Sequence, residues 1–79
     1  MSFGRNPHVP RAEVAEQKAT DAGDSSARVG AYREAARQWE RAAARENPGK
    51  RRDEYELNAA RNRELADSDG VAPAGDDAN

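Results

Sequence analysis

The side chains that act as nucleophiles or proton carriers in enzymes are few in this sequence. The single histidine, His8, falls in a stretch with two prolines, and none of the four serines has a base near it in a recognisable pattern. A serine becomes a nucleophile only when a general base lies beside it. Ser25 and Ser26 instead suit the first turn of a helix, where serine caps exposed backbone amides.

Carboxylates occur close together at two places, which is the arrangement that acid–base catalysis uses. The first pair is Glu13 and Glu16, and the second group is Asp53, Glu54 and Glu56. Both lie at the starts of predicted helices, where the helix dipole favours negative side chains. The carboxylates lack calcium-loop spacing, and without cysteine no cysteine-based zinc site can form. We therefore predict no enzymatic activity, no cofactor, no metal and no small-molecule substrate.

Four arginines recur at every fourth position and form what we call the basic strip: Arg33, Arg37, Arg41 and Arg45. Such a strip is able to contact phosphates or an acidic partner, so an anion- or nucleic-acid-binding regulator is one alternative function. The competing interpretation is a solvated helix face, because glutamates are interspersed among the arginines. The net charge of −2 and the lack of a nucleic-acid motif argue against nucleic acid as the partner.

The basic strip also predicts counter-charges within the chain, because like charges four residues apart on a helix repel mildly. The C-terminal carboxylates are positioned in sequence to fold back onto it. These carboxylates are Glu64, Asp67, Asp69, Asp76 and Asp77.

Length and composition predict one small domain. The chain has 79 residues, of which 35% are charged and 5% aromatic, and it has no cysteine. The N-terminus has no signal-peptide core, and no apolar run approaches the roughly 20 residues that span a membrane. We expect a cytoplasmic protein without membrane contact.

Capping and breaking residues divide the chain into three helices between two irregular ends. We predict an extended arm over residues 1–10, helices at about 11–22, 25–46 and 51–67, and a disordered acidic tail over 68–79. Gly23 ends the first helix and Asp24 caps the second, which ends at Asn47-Pro48-Gly49. The fold class is therefore all-α, a three-helix bundle with disordered termini.

The apolar faces of these helices are built mainly of alanine. The second helix has the clearest pattern: Val29, Tyr32, Ala35, Ala36, Trp39, Ala42 and Ala43. On the third helix one face holds Tyr55, Ala59, Asn62, Leu65 and Ala66. Trp39 is expected in the core, and Asn62 needs a hydrogen-bond partner if it is buried. So thin a core favours marginal stability, or help from a partner or second copy.

The segment from Ala19 to Pro48 resembles a tetratricopeptide repeat. The residues that carry the likeness are Gly30, Tyr32, Ala35, Trp39, Ala42 and Pro48. The resemblance implies a helical hairpin followed by a capping helix, and a peptide-binding role. It also implies a first turn near residues 27–30, whereas the capping residues favour Gly23-Asp24.

A second likeness is to the microtubule-interacting and transport domain, a three-helix bundle that binds partner helices in surface grooves. Lys18-Ala19-Thr20, Tyr32 to Ala36 and Trp39 to Ala42 carry it. Both likenesses imply a small adaptor that holds a helix or peptide in a groove between helices. A structural subunit of a larger complex is a further alternative.

Three residues are candidate contacts for the partner, which is another protein or a second copy of the chain. They are Leu57, Tyr55 and Phe3. Leu57 lies nearly opposite Tyr55 on the third helix, and Phe3 belongs to the N-terminal arm.

Overall fold

A computed structural model of the chain describes residues 5–75, with the side chains of residues 5–69. Within this range the elements are α1 His8–Asp21, α2 Ser25–Arg45 and α3 Lys50–Gly75, and none is a strand. The predicted all-α three-helix bundle is confirmed. α2 is the central helix, because it packs against both α1 and α3, which contact each other less.

α1 begins at His8, three residues before the predicted start, so the extended arm predicted over residues 1–10 is wrong for its last three. Asn6 explains the early start. Its side-chain Oδ1 accepts a hydrogen bond from the His8 amide at 3.1 Å. Its Nδ2 donates to the carbonyl of Ala42 at 2.8 Å, which ties it to α2. Pro10 is tolerated because the first four amides of a helix have no partner within the helix.

The turn between α1 and α2 lies at Ala22–Asp24, as the capping residues predict, and not at residues 27–30. Asp24 is the N-cap of α2, and its side chain accepts a hydrogen bond from the Ala27 amide at 2.8 Å. This bond satisfies one of the otherwise unpaired amides of the first turn. α1 and α2 therefore form a tight antiparallel hairpin.

α3 continues to Gly75, so the prediction of a disordered tail from Ser68 onward is wrong as far as Gly75. Residues 76–79 lie outside the described range. Two contacts with the start of α2 hold α3 at Asp69. The Ser25 hydroxyl donates to the Asp69 carbonyl at 3.2 Å, and the Arg28 guanidinium forms an ion pair with the Asp69 carboxylate.

Among the described side chains, ten apolar residues are buried, and nine of them are alanine. Trp39 is the exception, as predicted, and its ring packs on Tyr55 with centroids 5.5 Å apart. Leu65, which we expected on the inner face of α3, is 40% exposed at the edge of that face. The alanines bring the helices close together but bury little apolar surface per residue, so the core is thinner than the sequence pattern predicts.

One polar cluster crosses this alanine core and joins all three helices. A single carboxylate oxygen of Glu16 on α1 accepts hydrogen bonds from Trp39 Nε1 on α2 and from Asn62 Nδ2 on α3, both at 2.8 Å. Asn62 Nδ2 also donates to the carbonyl of Asn58 at 2.8 Å, while Asn62 Oδ1 is buried without a described partner. Asn62 therefore has the partners that its donor group needs, whereas its acceptor has none among the described residues.

Replacing Glu16 with alanine is expected to destabilise the fold by about 1–3 kcal/mol, because two buried donors lose their acceptor. Glu13→Ala is the matched control, since Glu13 is exposed on the same helix. Urea unfolding followed by circular dichroism measures both. Equal stability of the two variants would show that the Glu16 cluster contributes nothing specific.

Close packing of the alanines leads to a second prediction. Ala35 is fully buried, whereas Ala44 is exposed on the same helix. Ala35→Leu should lower the free energy of unfolding by about 1–3 kcal/mol through overpacking, and Ala44→Leu should change it little. If Ala35→Leu instead raised the thermal midpoint, the interface would contain space that the structure does not show.

Candidate functional site

An open groove with a volume of about 800 Å³ lies between α1 and α2. Residues from Pro10 to Ala22 line it on α1, and residues from Ala27 to Gln38 line it on α2. At a rise of about 1.5 Å per residue these stretches are about 17–18 Å long, or roughly three helical turns. We call it the α1/α2 groove.

The groove is open because the α2 residues that form its floor have little or no side chain. They are Ala27, Gly30 and Ala31. A methyl group built on Gly30 would meet no other group within 4 Å, so the space above it is empty. On the α1 wall, Val14 is 55% exposed, which makes it the main apolar side chain offered to a ligand.

The charged side chains that line the groove lie along its walls and rim. Arg11, Lys18 and Asp21 follow one another on α1, and Glu34 lies on α2. These groups include both signs, so the groove differs from the uniformly charged surface that attracts a simple anion or cation.

The register of the hairpin fixes which residues face each other across the groove. Asn6 hydrogen bonds to Ala42, and His8 Nδ1 lies 3.0 Å from Gln38 Oε1. Near the turn of the hairpin, Arg28 Nη1 donates a hydrogen bond to the Ala22 carbonyl at 3.4 Å. Interpolated between these contacts, Val14 lies level with Glu34, and Lys18 lies level with Gly30.

A line of hydrogen bonds orders the end of the groove near His8. The buried Gln38 side chain contacts His8 through Oε1 and donates from Nε2 to Glu34 Oε2 at 2.8 Å. Arg37 donates to Glu34 Oε1 at 2.6 Å. Hydrogen bonding by Gln38 first, and by Arg37 second, lowers the pKa of Glu34 below its ordinary value of 4.5. Glu34 is therefore held ionised at the rim.

Of the three predicted partner contacts, neither Tyr55 nor Leu57 lines this groove. Tyr55 packs on Trp39 at the edge of the core and borders a smaller pocket of about 320 Å³ with Val9. Leu57 is 69% exposed on the outer face of α3. Phe3 lies outside the described residues.

The basic strip is exposed along α2, and two of its four arginines have carboxylate partners. Arg37 pairs with Glu34, and Arg33 lies 3.9 Å from Asp67. Of the predicted counter-charges, Asp67 thus reaches the strip, whereas Asp69 pairs with Arg28 instead. No ion pair with Arg41 or Arg45 is found among the described residues. Pairing reduces the charge that the strip offers to phosphates.

Two further features are absent from the described part of the chain. It contains no group of three or more histidine, cysteine or carboxylate side chains arranged to hold a metal ion. Its helices also include none with the length and apolar character needed to cross a membrane.

Comparison of the chain with protein-family models, curated proteins and solved structures found no match. The likenesses to the tetratricopeptide repeat and to the microtubule-interacting and transport domain therefore stay predictions from the residues.

The residues that form the groove were not predicted from the sequence, although a signal for them is present there. Val14 lies at the edge of the alanine face of α1, and Gly30 lies at an exposed position within a long helix. A glycine inside a helix costs up to about 1 kcal/mol relative to alanine. A glycine at such a position therefore indicates that the absence of a side chain serves something other than helix stability.

The lowered pKa of Glu34 gives a prediction with a definite sign. A carboxylate of this kind stabilises the fold above pH 4.5, and the contribution is lost as pH falls through its lowered pKa. Because Glu34 is 44% exposed, the effect on stability is small. Gln38→Leu and Arg37→Gln should each raise the pKa of Glu34 toward its ordinary value, because each removes a hydrogen bond to the carboxylate. Titration of Glu34 by NMR measures this, and titration at or above pH 4.5 in the unsubstituted chain would contradict it.

Proposed function

We propose that this protein is a small protein-interaction module that holds a partner helix in the α1/α2 groove. The observation that carries the proposal is the groove itself, which two helices line on the side that α3 leaves open. This site lies between α1 and α2, whereas the predicted contacts Leu57 and Tyr55 lie on α3. The kind of function is thus the one predicted from the sequence, but the surface is a different one.

The shape of the groove supports a helix as its occupant more than a small molecule. Small-molecule sites enclose most of the ligand around a few convergent polar groups. Here the space is a trough about three helical turns long, and its charged groups lie along the walls. A helix placed there contacts α1 and α2 together, which is the usual geometry of helix-in-groove recognition.

The chemistry of the walls describes the helix that fits. The small side chains of Gly30 and Ala31 leave space for one or two larger apolar side chains of the ligand. Val14 supplies apolar contact from the opposite wall. Lys18 and Glu34 then select for a ligand with acidic and basic side chains flanking its apolar face.

A display library of amphipathic helical peptides, about three to four turns long, tests the proposal. Peptides selected on the unsubstituted chain should lose most of their affinity for Gly30→Leu, because leucine fills the groove floor. This variant is expected to fold, since leucine is the better helix former by up to about 1 kcal/mol and a Cβ at this position meets no group within 4 Å. Fluorescence anisotropy measures the affinity of each peptide.

Leu57→Ala is the matched control, because it changes an exposed apolar residue on the face of α3 away from the groove. Peptide binding that survives this change and is lost in Gly30→Leu supports the α1/α2 groove. Binding that is lost in Leu57→Ala and kept in Gly30→Leu would place the interaction on α3 instead. A library that yields no peptide sensitive to Gly30→Leu would overturn the proposal.

A further inference from the structure

The exposed face of α1, which forms one wall of the α1/α2 groove, is complementary in charge to a second copy of itself. Along α1 this face presents Arg11, Val14, Lys18 and Asp21, and all four line the groove. The basic end and the acidic end of the series are complementary when two such helices run antiparallel. This complementarity identifies an occupant that the described residues already contain.

We propose that the helix held in the α1/α2 groove is α1 of a second copy of this chain, related by a two-fold axis level with residue 16. This inference rests on the proposed function, because it names the partner of the same groove. The contact is reciprocal, so that the groove of each copy is filled by the α1 of the other.

The two-fold axis places Arg11 of each copy level with Asp21 of the other, since the two residues lie equally far from residue 16. Both side chains are exposed in the single chain. The pair occurs twice, once on either side of the axis. Val14 and Lys18 also face each other across the axis, so that Val14 packs against the aliphatic part of the Lys18 side chain.

In the same placement, α1 of the second copy is also complementary to the α2 wall of the groove. The symmetry of the α1 pair does not by itself require this. Within one chain, interpolation between the hairpin contacts places Val14 level with Glu34 and Lys18 level with Gly30. Antiparallel α1 therefore brings Lys18 of the second copy to Glu34. It also brings Val14 of the second copy over Gly30, where the space is empty.

Other arrangements of the two copies lack this match. If the two α1 helices ran parallel in register, Arg11 would face Arg11 and Asp21 would face Asp21, and like charges would repel. If α3 of a second copy entered the groove, the contact would join two different surfaces. A pair of copies would then leave one groove and one α3 surface without a partner. The antiparallel pairing of α1 closes on itself and fills both grooves.

A charge-exchange experiment tests the arrangement. Arg11→Asp alone places two carboxylates opposite each other, and Asp21→Arg alone places two guanidinium groups opposite each other, each twice in the dimer. Each single variant should therefore weaken self-association about tenfold or more. In an equimolar mixture of the two variants, each side of the axis of the mixed dimer pairs a carboxylate with a guanidinium group, so mixing should restore association.

The double variant, with Arg11→Asp and Asp21→Arg in the same chain, restores an opposite-charge pair on both sides of the axis with the signs reversed. It should therefore associate about as strongly as the unsubstituted chain. Sedimentation equilibrium from about 1 μM to 1 mM measures the unsubstituted chain, the two single variants and the double variant.

The substitutions preserve the helix, because aspartate near the start of α1 and arginine near its end agree with the helix dipole. Circular dichroism checks that each variant is folded before its mass is measured. Loss of association in each single variant, with recovery in the double variant, would establish the two-fold pairing.

Three results would overturn the inference. The first is an unsubstituted chain that stays monomeric over the whole concentration range. The second is self-association that neither single variant weakens, and the third is a double variant that does not recover. In all three cases the peptide assay with Gly30→Leu still decides separately whether the groove binds a helix, so failure of the pairing and failure of the groove are distinguishable.

Discussion

The carboxylate of Glu16 determines how the three helices are oriented. It is the point at which α1, α2 and α3 meet, through Trp39 and Asn62. Contacts between alanines do little to fix the rotation of a helix about its axis, because every alanine presents the same small methyl group. Hydrogen bonds to a charged group are directional and stronger than neutral ones, so they select one rotation. Two residues along a helix correspond to a turn of about 200°, and pointing Glu16 inward therefore turns Val14 outward into the groove.

The alanine core explains why the molecule has an unfilled groove. Close approach of α1 and α2 leaves the space beside them shallow, and Ala27, Gly30 and Ala31 do not fill it. A small domain whose described core has one buried aromatic residue has little apolar burial to offset the entropy of the ordered chain. Covering Val14 and this floor with another helix adds apolar contact that the single chain lacks. The association proposed above would therefore stabilise the fold through the same surface.

Features that depend on neighbouring residues in the sequence were predictable. The Asp24 cap, the Asn47-Pro48-Gly49 break and the burial of Trp39 all follow from local spacing, and the structure agrees with each. The start of α1 was not predictable, because the bond between Asn6 and the Ala42 carbonyl spans 36 residues.

The site was less predictable than the fold for the same reason. The sequence pattern explains Glu16 as a charge near the start of a helix. Its structural role depends on Trp39 from α2 and Asn62 from α3, which the pattern of α1 does not contain. The groove depends on the relative rotation of α1 and α2, which a pattern on one helix does not contain. The sequence pattern places Leu65 on the inner face of α3, but close to the boundary of that face. At such a position a small rotation of the helix changes burial to exposure.

The attachment of Asn6 and Asp69 to α2 has a consequence for how the module is joined to anything else. Asn6 is fixed near the C-terminal end of α2, at Ala42, and Asp69 is fixed near its N-terminal end, at Ser25 and Arg28. The two anchor points are separated by roughly 20 Å along that helix. The described chain therefore enters the bundle at one end of α2 and passes the other end of α2 on its way out, with the length of that helix between the two points.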